Sequence, residues 1–339
     1  MHLNMTISII IPVYNVAQYL NECLDSVVRA DSMCRSIDGA GVEMICIDDG
    51  STDDSAKILD DFAAKHGRCH EIHVIHKQNG GVSSARNLAI GNAKGDWIVF
   101  LDADDMLTEK SLLNIFKMAQ GYPEAELLRY RIVDFKDGCT PPIYGCDIKN
   151  IVICDCRQKI VDGWLGDSFV TYVYRRDIIG SIRFKEYRLG EDRLFLGEVL
   201  SRASKKVEAD FVGYLCRARK GSATHSSITA NSLVDSICWK MDFLDYFYRS
   251  GIKIGVGPRR KIVIAFLEAN ACDILSLPEG DWNTAWAFWL KAVTKIPLEM
   301  TTSAWQRFVI SVLSMTGSKI LAMVFCVLPH RLKLCGFHR

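Results

Sequence analysis

The amino-acid sequence predicts an α/β fold, in which a doubly wound and mostly parallel sheet is followed by a C-terminal helical region. Three observations support this prediction. Up to about residue 120, apolar runs typical of strands buried on both faces alternate with segments whose apolar residues recur at three and four positions. A polar cluster follows each of these apolar runs. Beyond Ile228 only the helical periodicity remains.

The predicted elements follow one another in a regular order. Strands are predicted over residues 7–11, 43–47, 71–75 and 96–101, and helices over 16–28, 53–66, 82–93 and 107–120. The β-branched run from Ile7 to Ile11 is the clearest strand, and the polar residues 51–54 can cap the second helix. Repeated β-α-β units with right-handed crossovers build a doubly wound domain.

Composition argues against a disordered chain and against a protein that binds nucleic acid through its net charge. With 49% hydrophobic and 24% charged residues the chain has an ordinary globular balance. Because 41 Lys and Arg residues are balanced by 40 Asp and Glu residues, no net field attracts nucleic acid, and an anionic ligand needs a local site. The 13 cysteines lack zinc-type pairs. Together with the lack of a basic N-terminal leader, they predict a reduced, cytoplasmic protein.

The segment from Trp97 to Asp105 is an apolar strand that runs into three carboxylates, Asp102, Asp104 and Asp105. Ionised carboxylates are not buried without a partner, so we expect all three to face solvent or a cation at the carboxyl end of the strand. Two aspartates one residue apart can bind Mg²⁺ or Mn²⁺ together with a substrate phosphate. A solvated loop after the strand is the alternative.

Four polar clusters come at the ends of successive predicted strands: residues 12–15, 48–51, 78–81 and 102–105. Parallel strands place these clusters on one edge of the sheet, where the ligand crevice of such folds lies. In the third cluster, Gly80 and Gly81 precede a helix. Their N–H groups could approach a phosphate, or the pair could serve turn geometry alone, and both interpretations stay open.

Four segments carry a resemblance to a known family: IIIPVYN, CIDDGSTDDS, KQNGGVSSARNLAIGNAKGDWIVFLDADD and, later, GEDRLF. Between Thr6 and Ser222 the chain resembles the family 2 glycosyltransferases of the GT-A fold, which transfer a sugar with inversion. The resemblance implies a metal-dependent enzyme that moves one sugar from a nucleotide-sugar, by family weight a UDP-sugar. The implied acceptor is a glycan or a lipid-linked saccharide in cell-surface polysaccharide biosynthesis.

The resemblance also implies roles on the donor side. The nucleotide would lie against the turn that contains Pro12, Tyr14 and Asn15, with Asp49 binding the base and Asp48 shaping the second turn. Arg86 would lie near the diphosphate, as suits a guanidinium group.

The implied cofactor is a divalent cation, Mn²⁺ or Mg²⁺. Asp102 would face the ribose and the metal, and Asp104 would bind the metal directly. Asp105 would stand behind these ligands or face the acceptor. His225 occupies the place where some enzymes of this fold supply a third metal ligand, with an ordinary surface or packing histidine as the alternative.

Inversion needs one carboxylate to take the proton of the acceptor hydroxyl. Asp192 matches the family's usual base position, and Glu191 is the alternative. Taken without the family, the two acids could simply favour the dipole at a helix N-terminus. Residues 167–176 resemble the acceptor-side segment but depart from its usual form, so they identify no acceptor residue.

We expect a GT-A catalytic domain over 1–225, with a nucleotide-sugar half over about 1–120 and an acceptor half over about 121–225. A helical region follows over 226–339, with a membrane-associating tail over 304–339. In this tail, residues 308–328 are mostly apolar, but Lys319 interrupts them and basic residues follow. This pattern favours a helix at the interface of an anionic membrane, on the inner face of the cytoplasmic membrane; a buried helical hairpin is the alternative.

Two other functions compete with this interpretation. A sugar-1-phosphate nucleotidyltransferase would share the sheet and the metal aspartates, but its glycine-rich loop is absent from residues 11–20. An inactive glycan- or nucleotide-binding module would keep the nucleotide pocket and lose the acids, yet all of the acids are present.

Overall fold

The computed structural model describes residues 4–141, 147–156, 168–219, 229–250, 270–274 and 279–293, together with the single positions 263, 277, 295, 296, 306, 309 and 310. These residues form two compact units. Unit 1 holds the described residues up to 156, 168–186 and 202–219; unit 2 holds 187–201 and the described residues from 229 onward. Residues 187–201 lie inside the predicted 1–225 domain but belong to unit 2, so the units are not separated by a single cut at 225.

The strands of unit 1 form a mixed sheet. They are β1 (Met5–Val13), β2 (Ala40–Asp48), β3 (Glu71–His76), β4 (Trp97–Phe100), β5 (Met106–Leu107), β6 (Leu127–Lys136), β7 (Val152–Asp155), β8 (Tyr172–Arg175) and β9 (Lys205–Ala218). Their order is β3-β2-β1-β4-β8-β6-β9-β5, with β7 paired to β9. The first four strands by sequence are parallel, whereas β8 is antiparallel to both of its neighbours. The predicted α/β class is therefore confirmed.

The helices connect the parallel strands as predicted. In unit 1 they are α1 (Ala17–Cys34), α2 (Ser55–His66), α3 (Val82–Asn92), α4 (Ser111–Gly121) and α5 (Arg176–Ile179). The prediction that a helix begins at Leu107 is wrong. Met106 and Leu107 instead form β5, because they pair with Leu215 and Tyr214 of β9, and α4 begins at Ser111. Long-range pairing thus overrides the local helical pattern.

The centre of unit 1 is β1, which lies between β2 and β4. Ile7, Ile9, Ile10 and Ile11 of this strand are fully buried, as expected for a strand covered on both faces. Because all three strands run in the same direction, their carboxyl ends reach one edge of the sheet. The polar clusters follow at that edge.

Unit 2 is largely helical among the described residues. It contains α6 (Glu191–Arg202, whose last residue belongs to unit 1), α7 (Ala230–Arg249), α8 (Asn270–Ile274) and α9 (Glu279–Val293). Helix α7 begins with a capping box, in which Thr229 and Ser232 each accept the other's backbone N–H. In the described part of the chain no helix combines the length and apolarity needed to cross a bilayer. Apart from positions 306, 309 and 310, the predicted tail lies outside the described residues.

Candidate active site

Backbone hydrogen bonds bring the polar turns of unit 1 together at the carboxyl edge of the sheet. The N–H of Asp49 donates to the carbonyl of Val13 at 2.9 Å, and the N–H of Lys77 donates to the carbonyl of Asp48 at 2.9 Å. These bonds continue the ladder of β1, β2 and β3 one residue beyond the ends of β2 and β3. The turns after β1, β2 and β3 are therefore neighbours, as the sequence predicted.

The first turn is tied to the second by side chains. Pro12 lies within β1, Tyr14 is exposed, and Asn15 has a left-handed φ of 50°. Asparagine tolerates this conformation better than most residues. The side-chain oxygen of Asn15 accepts the N–H of Thr52 at 2.8 Å, and its own N–H donates to Oγ of Ser51 at 3.1 Å. Asn15 therefore stabilises the turn and leaves the ring of Tyr14 open to solvent.

The carboxylate of Asp49 is buried and organises the third turn. Its Oδ1 contacts Nζ of Lys77 and accepts the N–H of Gly80 at 3.0 Å, and its Oδ2 accepts the N–H of Gly81 at 2.7 Å. Gly81 has a φ of 85°, which favours glycine. The N–H groups of both glycines are thus used within the protein, as the turn-geometry interpretation expected. Lys77, which directly precedes the predicted cluster, was missed in the sequence.

We expect Asp49→Ala to weaken nucleotide binding and to lower the free energy of unfolding by about 1.5–3 kcal/mol, because hydrogen bonds to a charged group are lost. Asp53→Ala is the matched control: that carboxylate also accepts two backbone N–H groups, from Ala17 and Ser55, each at 3.0 Å. Both variants should lose stability, but only Asp49→Ala should lose nucleotide affinity in isothermal titration calorimetry. Equal affinities in the two variants would contradict a nucleotide pocket at Asp49.

Asp48 lies at the end of β2, and the imidazole of His76 connects it to Asp60 of helix α2. Its Oδ1 accepts the N–H of Ser51 at 3.0 Å, and its Oδ2 is 2.9 Å from Nδ1 of His76, whose Nε2 is 3.1 Å from Oδ1 of Asp60. Burial alone would raise the pKa of Asp48, but the hydrogen bonds from Ser51 and His76 hold it below its ordinary value. The hydrogen bonds to Asp48 and then to Asp60 raise the pKa of His76. Asp48 therefore holds the backbone of the turn that follows β2.

This pair predicts a pH dependence of stability. The pKa of His76 is raised above 6.5 in the folded state, so its contribution is complete below pH 6.5 and is lost as the pH rises through the raised value. The contribution of Asp48, whose pKa is lowered from 3.8, is present above pH 3.8 and is lost in stronger acid. The difference in melting temperature between the native protein and His76→Gln should therefore be larger at about pH 5.5 than at about pH 8.5. The difference should be modest, because the His76 side chain is 43% exposed. A difference that does not change with pH would contradict this assignment.

Asp102 is paired with the predicted arginine. Nη2 of Arg86 donates to Oδ1 of Asp102 at 2.9 Å. The guanidinium carbon lies 4.5 Å from the ring centroid of Phe169 and 5.3 Å from that of Phe184. The arginine is buried, whereas the Asp102 side chain is 35% exposed. The rings hold the guanidinium in one orientation, so its positive charge is positioned in advance.

Asp104 is paired with an arginine from the end of β9. Nε of Arg219 donates to Oδ2 of Asp104 at 2.5 Å, and Nε of Arg217 donates to the main-chain carbonyl of Asp104 at 3.0 Å. The Arg217 guanidinium is buried between the rings of Tyr19 and Phe135, at 4.9 and 4.7 Å from their centroids. The side chain of Asp104 remains 20% exposed.

Arg217 and Arg219 were not among the predicted site residues. The signal for them was present, because two arginines two positions apart follow the apolar run 211–216 and therefore lie on one face of a strand. What the sequence did not show is that β9 ends beside the Asp-x-Asp turn. Two positive side chains, Arg86 and Arg219, thus neutralise the two aspartates.

Asp105 corrects the expectation that all three carboxylates face solvent or a cation. It is only 6% exposed, its Oδ2 accepts the hydroxyl of Tyr214 at 2.7 Å, and its Oδ1 accepts the N–H of Arg217 at 2.7 Å. Burial, followed by the charge of Asp102, raises the pKa of Asp105 to about 7. The carboxylate is buried because it has these two partners. Its contacts connect the turn after β4 to β9.

The residues of the Asp-x-Asp pair fit a divalent cation. Carboxylate oxygens are the ligands that Mg²⁺ and Mn²⁺ prefer, and the side chains of Asp102 and Asp104, unlike Asp105, are partly exposed. Each of these carboxylates already has an arginine partner, Arg86 for Asp102 and Arg219 for Asp104. Positive charge is therefore stable at this edge of the sheet. His225, the predicted third ligand, lies outside the described residues.

A second group of ligand atoms lies elsewhere in unit 1. Glu43, Glu71 and His73 place one ligand atom each within 4.8 Å of one another. These residues are on β2 and β3, and Glu43 pairs with Glu71 at the amino end of the ladder, opposite the polar turns. Oε1 of Glu43 accepts the N–H groups of Lys94 and Gly95 at 2.7 and 2.9 Å. We therefore assign Glu43 a structural role and place the candidate cation site at the Asp-x-Asp turn.

The predicted acids lie in unit 2, at the first two positions of α6. Gly190 precedes them with a φ of 86°, and its carbonyl accepts the N–H of Leu194 at 3.1 Å. Glu191 is buried at 8% exposure, whereas Asp192 is partly exposed and accepts the N–H of Arg193 on Oδ1 at 2.8 Å. The helix start favours both negative charges, and Asp192 is the more exposed of the two residues.

Comparison with solved structures identifies the class of fold. S. aureus TarS 1-349 in complex with UDP-GlcNAc matches with a TM-score of 0.71 at 17% identity, covering 99% of this chain and 93% of that one. At this identity the likeness shows the fold alone, which is the GT-A fold expected from the sequence.

Sequence comparison identifies the family. The sequence model of the family described as Glycosyl transferase family 2 matches residues 8–139. Glycosyltransferase GlyG of Streptococcus pneumoniae serotype 4 is 25% identical over 259 residues, which are 71% of this chain and 78% of GlyG. The minor teichoic acid biosynthesis protein GgaB of Bacillus subtilis is 30% identical over 235 residues, 67% of this chain and 25% of GgaB. Residues 8–139 of this chain therefore belong to the family 2 glycosyltransferases.

The share of each relative's length that this chain spans differs widely. It spans most of GlyG but only 34% of a second S. pneumoniae relative, glycosyltransferase GlyA, and a quarter of GgaB. Whatever those longer proteins do beyond the shared region does not carry over to this chain.

Proposed function

We propose that this protein transfers one sugar, with inversion, from a UDP-sugar to a glycan or lipid-linked saccharide in cell-surface polysaccharide biosynthesis. The observation that carries the proposal is the carboxyl edge of the sheet in unit 1. The partly exposed carboxylates of Asp102 and Asp104, each paired with an arginine, come after β4, and the Asp49 turn comes after β2. Both strands are parallel to β1, so the two turns lie at the same edge of the sheet. Such an edge suits a nucleoside diphosphate bound with a cation.

The donor would use the turns that the structure brings together. The exposed ring of Tyr14 offers a stacking surface for a base, and the buried Asp49, held beside Lys77, offers an acceptor for a ring N–H. Arg86 and Arg219 supply positive charge for the diphosphate. TarS, which has the same fold, was solved with UDP-GlcNAc, and we propose a UDP-sugar as the donor of this protein.

A divalent cation, Mn²⁺ or Mg²⁺, would be held by Asp102 and Asp104, with His225 as the proposed third ligand. When bound, such an ion offsets the charge of the diphosphate and stabilises the charge that builds on the leaving group. The protein's own part is to keep the two carboxylates in place, which Arg86 and Arg219 do through the ion pairs described above.

We propose Asp192 as the general base. The acceptor oxygen bonds to the anomeric carbon as the bond from that carbon to the diphosphate oxygen breaks, and the hydroxyl proton passes to the Asp192 carboxylate. The exposure of Asp192 and the burial of Glu191 support this choice, because the base must reach a proton on an external acceptor.

The products distinguish this function from its rivals. Purified full-length chain should release free nucleoside diphosphate from a UDP-sugar, in the presence of a mixture of glycan acceptors and Mn²⁺, and release should stop when the metal is chelated. A nucleotidyltransferase would release pyrophosphate from a nucleoside triphosphate, and a binding module would release neither. Release of pyrophosphate, or of no product from any nucleotide-sugar tested, would overturn the proposal.

We also propose that the apolar segment 308–328, with the basic residues that follow it, brings the enzyme to the inner face of the cytoplasmic membrane. A chain truncated after Ser303 should stay folded and should no longer sediment with anionic phospholipid vesicles, whereas the full chain should sediment with them. Truncation that unfolds the protein would show that the segment belongs to the core. Equal sedimentation of both chains would rule out the segment as the anchor.

A further inference from the structure

Helix α7 of unit 2 presents three side chains on one face to the segment that leads into α6. Asp235, Trp239 and Asp242 are spaced at i, i+4 and i+7, so they lie along a single helical stripe. Oδ2 of Asp235 accepts the N–H of Arg188 at 2.9 Å, and Oδ2 of Asp242 accepts the hydroxyl of Tyr187 at 2.8 Å. Two carboxylates of α7 therefore hold the residues just before the Gly-Glu-Asp turn.

The indole of Trp239 lies against the turn itself. A Cβ placed on Gly190 would come within 2.3 Å of Cδ1 of Trp239, closer than any side chain allows. The φ of 86° at Gly190 also requires glycine. The guanidinium carbon of Arg193, in the first turn of α6, lies 5.8 Å from the centroid of the same ring. The buried ring thus fixes the point at which α6 begins.

The starting point of α6 decides which acid is accessible. Adjacent residues on an α-helix point about 100° apart, so rotating this helix by one residue would turn one of the two acids into the direction of the other and would turn Asp192 away from its present direction. With the helix in its observed position, Glu191 is buried and Asp192 is partly exposed. A catalytic group displaced by about 1 Å can cost about a hundredfold in rate.

We infer that Asp235, Trp239 and Asp242 are positioning residues for the proposed base, and that helix α7 is therefore part of the catalytic apparatus rather than a packing element alone. This inference rests on the proposed role of Asp192. Its signal in the sequence is the stripe of two acids and one tryptophan at i, i+4 and i+7 of α7.

The test uses full-length variants and three measurements: turnover number in sugar transfer, nucleotide affinity by calorimetry with Mn²⁺, and melting temperature. Trp239→Leu should lower turnover about tenfold to a hundredfold with nucleotide affinity unchanged, and Trp239→Phe, which keeps a ring, should restore part of the loss. Trp286→Leu is the control, because Trp286 is a buried tryptophan of α9 that packs on Trp289. It should lose stability and keep its turnover.

A pair of variants at one position covers the case in which Trp239→Leu does not fold. Asp235→Ala removes the acceptor for the Arg188 N–H, whereas Asp235→Asn keeps an oxygen that can accept it. Turnover should fall in the alanine variant and recover in the asparagine variant. If the folded alanine variant keeps full turnover, the inference is wrong.

A double-mutant cycle with Asp192→Asn separates the inference from the proposal on which it rests. If Trp239 acts through Asp192, adding Trp239→Leu to Asp192→Asn should lower the residual turnover little further. Fully additive losses would show that Trp239 does not act through the acid. If Asp192→Asn alone kept full transfer, the base assignment would fail first, whatever the Trp239 variants do.

Discussion

Asp104→Asn is expected to reduce sugar transfer to the level seen without added metal while the protein stays folded. The substitution removes an anionic oxygen from a partly exposed carboxylate and changes almost no volume. Mn²⁺ binding in the presence of UDP, measured by the electron paramagnetic resonance of the free ion, should be lost with the activity. The melting temperature should change little.

Asp137→Asn is the matched control for this prediction. Asp137 is another exposed aspartate of unit 1 and also has an arginine partner, since Nη1 of Arg217 lies 3.3 Å from its Oδ1. It is not part of the Asp-x-Asp pair, so its amide variant should keep metal binding and transfer. If Asp104→Asn keeps its activity at saturating metal, the assigned cation site is wrong.

Asp192→Asn is expected to lower transfer by about 10²- to 10⁴-fold, the usual contribution of a general base. Nucleotide binding with metal should survive, because the proposed partner of Asp192 is the acceptor hydroxyl and not the donor. Rates with saturating donor, together with calorimetry of UDP and Mn²⁺, measure the two effects separately.

Glu191→Gln is the comparison that tests this assignment. Glu191 is buried at the start of α6, so its amide variant should show a milder loss of activity. If Glu191→Gln is the inactive variant and Asp192→Asn the mild one, the two roles are exchanged. If both variants lose no more than a few-fold, the turn is structural. Asp105 is then a poor replacement, since its carboxylate is engaged with Tyr214 and Arg217 in the interior.

The amino-acid sequence by itself determined the order of the first four strands and the four long helices of unit 1, apart from the short strand β5, together with the edge at which the polar turns meet and the family. These features depend on local information. The continuous apolar run from Ile7 to Ile11 is the pattern of a strand that is buried on both faces of a parallel sheet. The turn that contains Gly80 and Gly81 is likewise indicated by residues that are close together in the chain.

Only the tertiary structure decided which partner each charged group has. Arg219 reaches Asp104 across a separation of 115 residues, and Asp105 is buried because β9 supplies Tyr214 beside it. No periodicity predicts such pairs, since they depend on the register between β5 and β9. The same holds in unit 2, where Trp239 sets the start of the helix that carries Asp192. The physical reason is that the pattern of buried residues is a property of each segment, whereas an ion pair or a close backbone contact is a property of two segments packed together.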